Sequence, residues 1–113
     1  MNPWKYFALA AEAAALKNDI RCHQLGAVGL RSDGTLVAAY NGPAKSKLPS
    51  AHAEARLCRK MDYYGTVFVV RRTSGGYGMA RPCASCQTIL KSRKVERVYY
   101  TVGPTEYGVM EFV

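Results

Sequence analysis

The sequence predicts one α/β domain built in three layers, with helices on a central sheet. Apolar segments rich in β-favouring residues alternate with helix-forming ones along the chain. A single hairpin opens the sheet, and longer connections able to carry helices follow it. The 113 residues, 49% of them hydrophobic, are enough for one core and leave no room for a second domain.

Each element has a local reason. Asn2-Pro3 supplies a helix cap and first helical residue, and the Ala-rich run from Phe7 to Lys17 continues that helix until Asn18. Its Lys5, Glu12 and Lys17 and its short apolar stretch rule out a membrane span and argue against a secretory leader. Leu25 to Arg31 and Thr35 to Tyr40 read as paired strands, with Asp33-Gly34 as the turn between them. From Asn41 to Ser50 the composition is that of a loop, with Gly42, Pro43, Lys45, Lys47 and Pro49. A helix is expected from about Ala51 to Tyr63. Gly65 to Arg71 then reads as a buried strand around Val-Phe-Val-Val. Thr73 to Arg81 is expected to be a flexible loop, because its Gly75, Gly76 and Gly78 do not form a dinucleotide fingerprint. Pro82 suits the first turn of a helix running to about Lys94, and Glu96 to Val102 forms a last clear strand. No internal repeat or linker interrupts this order.

Two short strings carry the chemistry: His52-Ala53-Glu54 and Pro82-Cys83-Ala84-Ser85-Cys86. Zinc prefers four tetrahedral positions filled by nitrogen and sulfur, and a catalytic site keeps one of them for water or substrate. His52, Cys83 and Cys86 fill three. Glu54 is then left to move protons. Alone, a C-x-x-C is equally a redox pair or part of a structural zinc site, and a histidine beside a glutamate is usually a surface pair. Together, H-x-E and a later P-C-x-x-C are the signature of the zinc nucleobase deaminases, in which the glutamate is not a ligand. Cys83 and Cys86 at i,i+3 share a helix face, so both thiolates reach one ion. Two helix starts directed at the site favour thiolate and negative charge there.

The formal charge of +8 favours anionic ligands such as nucleotides or nucleic acid. Lys45, Lys47 and Arg81 flank the motifs and are candidates to receive a phosphate, whereas Arg59, Lys60, Lys91 and Arg93 read as solvated helix residues. Cys22 and Cys58 lie outside the motifs and are expected as reduced thiols in or near the core, which fits a cytoplasmic location.

Beyond the two strings, Gly26-Ala27-Val28, Tyr40-Asn41-Gly42-Pro43 and Val98-Tyr99-Tyr100 complete a pattern that resembles the cytidine deaminase superfamily, and within it the deoxycytidylate deaminases. The resemblance implies a mixed sheet of about five strands flanked by helices, one catalytic zinc ion on His52, Cys83 and Cys86, and Glu54 as the proton shuttle. It further implies that Asn41 holds the sugar hydroxyl, that the Ala53 backbone amide contacts the base carbonyl, and that the chain forms a homo-oligomer. Tyr100 is either a wall of the base pocket or a core residue. Only ten residues separate Asn41 from His52, so the second metal site of longer relatives is not expected. After Thr101, Gly103, Pro104 and Gly108 leave little room for a last helix and strand.

The expected activity is hydrolytic deamination of a cytosine nucleotide, dCMP to dUMP with release of ammonia. A small-molecule nucleotide is the expected partner, and no membrane is involved. Two alternatives stand beside it: a deaminase of cytosine or adenine in single-stranded nucleic acid or tRNA, which the charge and eight tyrosines keep open without favouring it, and a non-catalytic zinc-stabilised nucleic-acid-binding protein.

Overall fold

The computed structural model describes residues 2–14, 24–40, 53–61, 64–73 and 76–112. The described chain runs α1 (Pro3–Ala14), β1 (Gln24–Leu30), β2 (Leu36–Tyr40), α2 (Ala53–Cys58), β3 (Thr66–Thr73), β4 (Gly76–Gly78), α3 (Ala84–Ser92), β5 (Arg97–Thr101) and β6 (Tyr107–Glu111). The strands form one mixed sheet in the order β2-β1-β3-β5-β6, with β4 paired to β3 off this path. β1 is antiparallel to both β2 and β3, and β3 and β5 are parallel.

Period-two alternation sorts the core into two faces. On β3, Val67 and Val69 join a cluster with Ala53, Leu57, Leu90, Val95 and Val98, the face covered by α2 and α3. Phe68 and Val70 face the other way, onto Phe7 and Ala10 of α1. The continuous apolar run expected here as a buried strand is thus buried on both sides, as a strand inside a three-layer fold must be. α1 buries Phe7, Ala10 and Ala14, one stripe of the helix, and its backbone lies so close to β1 that a Cβ at Gly26 would collide with the Ala10 carbonyl. The β1–β2 hairpin closes with Arg31 donating to the Thr35 carbonyl at 2.9 Å, while Asp33 Oδ1 accepts from the Thr35 amide at 2.9 Å. Gly34 takes the left-handed conformation this turn requires, at φ +88°.

Four expectations are corrected. α2 ends at Cys58 rather than near Tyr63, because the chain tightens into i→i+3 bonds, Lys60 to the Leu57 carbonyl and Met61 to that of Cys58, and buries Met61 in the core. Gly76 and Gly78, expected within a flexible loop, lie instead in a strand. This strand, β4, folds back on β3 with Arg71 opposite Gly78 and Arg72 opposite Tyr77. α3 begins at Ala84 with Cys83 as its cap, so Pro82 precedes the helix instead of opening it. A strand does form after Thr101. A short turn closed by Val102 donating to the Glu106 carbonyl leads into β6, which pairs antiparallel with β5 and completes a six-stranded sheet, in keeping with the expected mixed sheet of about five strands flanked by helices.

At the far end of α3, Lys94 sits in the left-handed region at φ +53°, with its amide bonded to the Lys91 carbonyl and that of Val95 to Leu90. This is a Schellman stop with a lysine where glycine is usual, sealed by the buried pair Leu90 and Val95.

Candidate functional site

Ala53 and Glu54 of the first string begin α2, and the second string leads into α3; the two helices lie side by side on one face of the sheet. α2 is held there by Ala53 and Leu57, both fully buried against β3 and α3 residues. Glu54 follows Ala53 in the first turn and is itself buried, only 5% exposed. A surface glutamate capping a helix would not be in this position.

α3 carries the thiols. Cys83, the N-cap, has extended backbone (φ −70°, ψ 168°), and its side chain does not serve as the helix cap. Gln87 steadies this entry by donating its amide to the Cys83 carbonyl and its side-chain Nε2 to the Pro82 carbonyl, each at 2.9 Å. Cys86 is buried and Cys83 exposed. Burial pushes the Cys86 thiol well above its ordinary range. The Glu54 carboxylate and the hydrogen-bonded Cys83 thiol push the same way. That coupling places Glu54, Cys83 and Cys86 in one electrostatic neighbourhood.

Glu54 and Cys83 share a cavity of about 150 Å³ whose walls also include Leu25, Arg71, Met79, Ala80 and Arg81. The β3–β4 hairpin and the Ala80 amide, bonded to the Thr101 carbonyl at 2.9 Å, fix the Met79–Arg81 wall. Of the expected phosphate-binding candidates, Arg81 is therefore at the site. Lys45 and Lys47 lie outside the described residues, as do His52, Asn41, Cys22 and His23. Ala53 opens α2, with its residue buried beside Glu54. Tyr100 is on the same sheet face, half-buried against the core, with its ring over Gly108 on the neighbouring strand.

Sequence reading missed two residues here. Arg71 was read as the end of a strand, yet it follows Val67 and Val69 at a spacing of two and so shares their face. Cys58 was read as a core thiol and is one, but it also sits one helical turn after Glu54, whose charge helps raise it. In both cases the spacing was the available signal.

The donor set suits zinc: two thiols at i,i+3, a carboxylate beside them, and His52 next in sequence before α2. With His52 outside the described residues, no three donors among those described form a metal shell. Within the described residues no helix is long and apolar enough to cross a membrane. A family model of the cytidine and deoxycytidylate deaminase zinc-binding region matches residues 1–102. No curated protein matches the chain.

Proposed function

Because the chain belongs to the cytidine and deoxycytidylate deaminase zinc-binding family, we propose that it hydrolyses the exocyclic amine of a cytosine nucleotide, taking dCMP to dUMP and ammonia. His52, Cys83 and Cys86 hold the zinc, and Glu54 moves the protons. Bound zinc lowers the pKa of a water molecule to about 7 and so makes it a nucleophile at neutral pH.

Glu54 accepts a proton from the attacking water and delivers it to ring nitrogen N3 as oxygen adds at C4. It then takes the remaining proton of the oxygen added at C4 and carries it to the amino nitrogen as the C4–N bond breaks and the C4 carbonyl forms. The oxygen stays on the ring and the amine leaves as ammonia, so one water is consumed per turnover. Asn41 is assigned to the sugar hydroxyl and the Ala53 amide to the base carbonyl. The observation that carries this reading is the buried Glu54 carboxylate sharing a cavity with Cys83 and acting electrostatically on Cys86. A structural zinc site needs no such group.

The test is ammonia release by zinc-loaded protein given dCMP, cytidine or a cytosine-bearing oligonucleotide, beside the Glu54→Ala variant. The proposal expects conversion of dCMP, and a variant that keeps one zinc while losing about 10²- to 10⁴-fold in turnover, the usual share of acid–base catalysis. Full activity in Glu54→Ala overturns the mechanism. Conversion of the oligonucleotide alone moves the activity to nucleic acid.

A further inference from the structure

We propose that the outer edge of β6 docks a second copy of this chain, whose own β6 pairs with it antiparallel about a two-fold axis at Val109. β6 ends the sheet, and among the described residues no strand lies beyond it.

The β5–β6 ladder fixes which main-chain groups point outward. Phe112 donates to the Glu96 carbonyl and Val102 to that of Glu106, each at 3.0 Å. Bonded pairs alternate along an antiparallel ladder, so Gly108 opposite Tyr100 and Met110 opposite Val98 also bond inward. The amides and carbonyls of Tyr107, Val109 and Glu111 therefore point away from β5. All three residues are exposed, Tyr107 by 41% and Val109 by 44%. A row of outward main-chain groups beside large exposed side chains is a template for another strand.

The opposite edge of the sheet shows how this chain closes an edge it does not use. The Arg31 amide bonded to the Thr35 carbonyl sets the phase of the β1–β2 ladder, so that Leu36, Ala38 and Tyr40 point their main-chain groups outward. Lys60 reaches over from beyond α2 and donates its Nζ to the Ala38 carbonyl at 2.6 Å. A lysine seated on an edge blunts it. β6 has no such device of its own, with neither lysine nor proline between Tyr107 and Glu111.

The outward residues are self-complementary, which points to a second copy as the occupant. About a two-fold axis at Val109, that residue meets its own copy, and Tyr107 stands opposite Glu111 of the second copy at both ends. A phenol hydroxyl then faces a carboxylate, and the two Glu111 charges stay at opposite ends of the pairing. A register that set them face to face would be penalised as a like-charge pair. Both side chains are positioned beforehand: Arg97 holds Glu111 at 3.3 Å, and Tyr107 packs on Trp4 and Phe7 with ring centroids 5.7 and 5.9 Å apart. Because each copy spends its β6 edge on the other and Lys60 blunts β2, the pairing closes at a dimer.

Sedimentation equilibrium of the full chain, from micromolar to near-millimolar concentration, measures the pairing, and residue-resolved amide hydrogen exchange at the two extremes locates it. A monomer–dimer equilibrium is expected, in which the Tyr107, Val109 and Glu111 amides exchange freely in dilute protein and become protected in concentrated protein, while those of Leu36, Ala38 and Tyr40 do not change. Val109→Pro removes an outward donor from each copy and no bond of the β5–β6 ladder, so the fold should persist while dimerisation weakens by about 10- to 100-fold. Val109→Lys sets like charges face to face and should weaken the dimer without altering the backbone, whereas Val109→Thr should retain it. A chain that stays monomeric throughout overturns the proposal. So does a dimer in which the three amides still exchange freely, or one that neither Val109→Pro nor Val109→Lys weakens.

Discussion

Leu57→Ala tests whether the position of Glu54 is set by packing. α2 has six residues, well short of the roughly 12–15 an isolated helix needs to persist in water. Its place on the sheet must come from burial, and Leu57 is its largest fully buried side chain, in the cluster with Val67, Val69 and Leu90. Truncation removes three buried carbons at ~0.8 kcal/mol each, or about 2.4 kcal/mol. The cavity left behind raises the cost to about 3–4 kcal/mol. With a urea dependence near ~1.5 kcal/mol per molar, the unfolding midpoint should drop by roughly 2 M. Urea titration followed by far-UV circular dichroism reads this directly, with Leu57→Met as a volume-conserving control costing less than about 1.5 kcal/mol. A loss below about 1 kcal/mol for Leu57→Ala would refute the argument, because the helix would then be held by something other than its buried face.

Gly26→Ala should destabilise by about 1–3 kcal/mol, since its methyl group must push α1 off the sheet at Ala10; an unchanged urea midpoint would mean that the two backbones are not in close contact. Burial raises the Cys58 thiol from an ordinary 9.0 to about 11, so the folded state holds that proton more tightly than the unfolded state. The stability this thiol contributes is complete below about pH 9 and is lost as pH rises from there toward 11. The stability difference between wild type and Cys58→Ala should therefore shrink across that window, and a flat difference would contradict the burial.

The parts of the fold legible in the sequence were those with a strong local signal. The Asp33-Gly34 turn, the continuous apolar run of Val67 to Val70 and the capped, Ala-rich start of α1 each state their own geometry. What escaped was set by tertiary partners. Gly76 and Gly78 look like a flexible loop until β3 offers an edge for β4. The stop of α2 depends on Met61 finding the core, which helical periodicity does not record. Gly108 looked like a strand breaker, yet its missing side chain is the space that the Tyr100 ring occupies across β5 and β6.

The site divides in the same way. Glu54, Cys83 and Cys86 stand out as candidates in the sequence because metal chemistry restricts residue type and spacing together. Arg71 was not, because an arginine closing an apolar run normally marks the return to solvent, and only the cavity shows that it faces the site.

X-ray absorption at the zinc edge of the purified protein tests the central claim most directly, because it counts the atoms around the ion. A zinc held by His52, Cys83 and Cys86 with a position open for water predicts two sulfurs at about 2.3 Å and two lighter atoms at about 2.0–2.1 Å. Four sulfurs would mean a closed structural site, and no sulfur would mean that the two thiols of α3 hold no metal; either result contradicts the account.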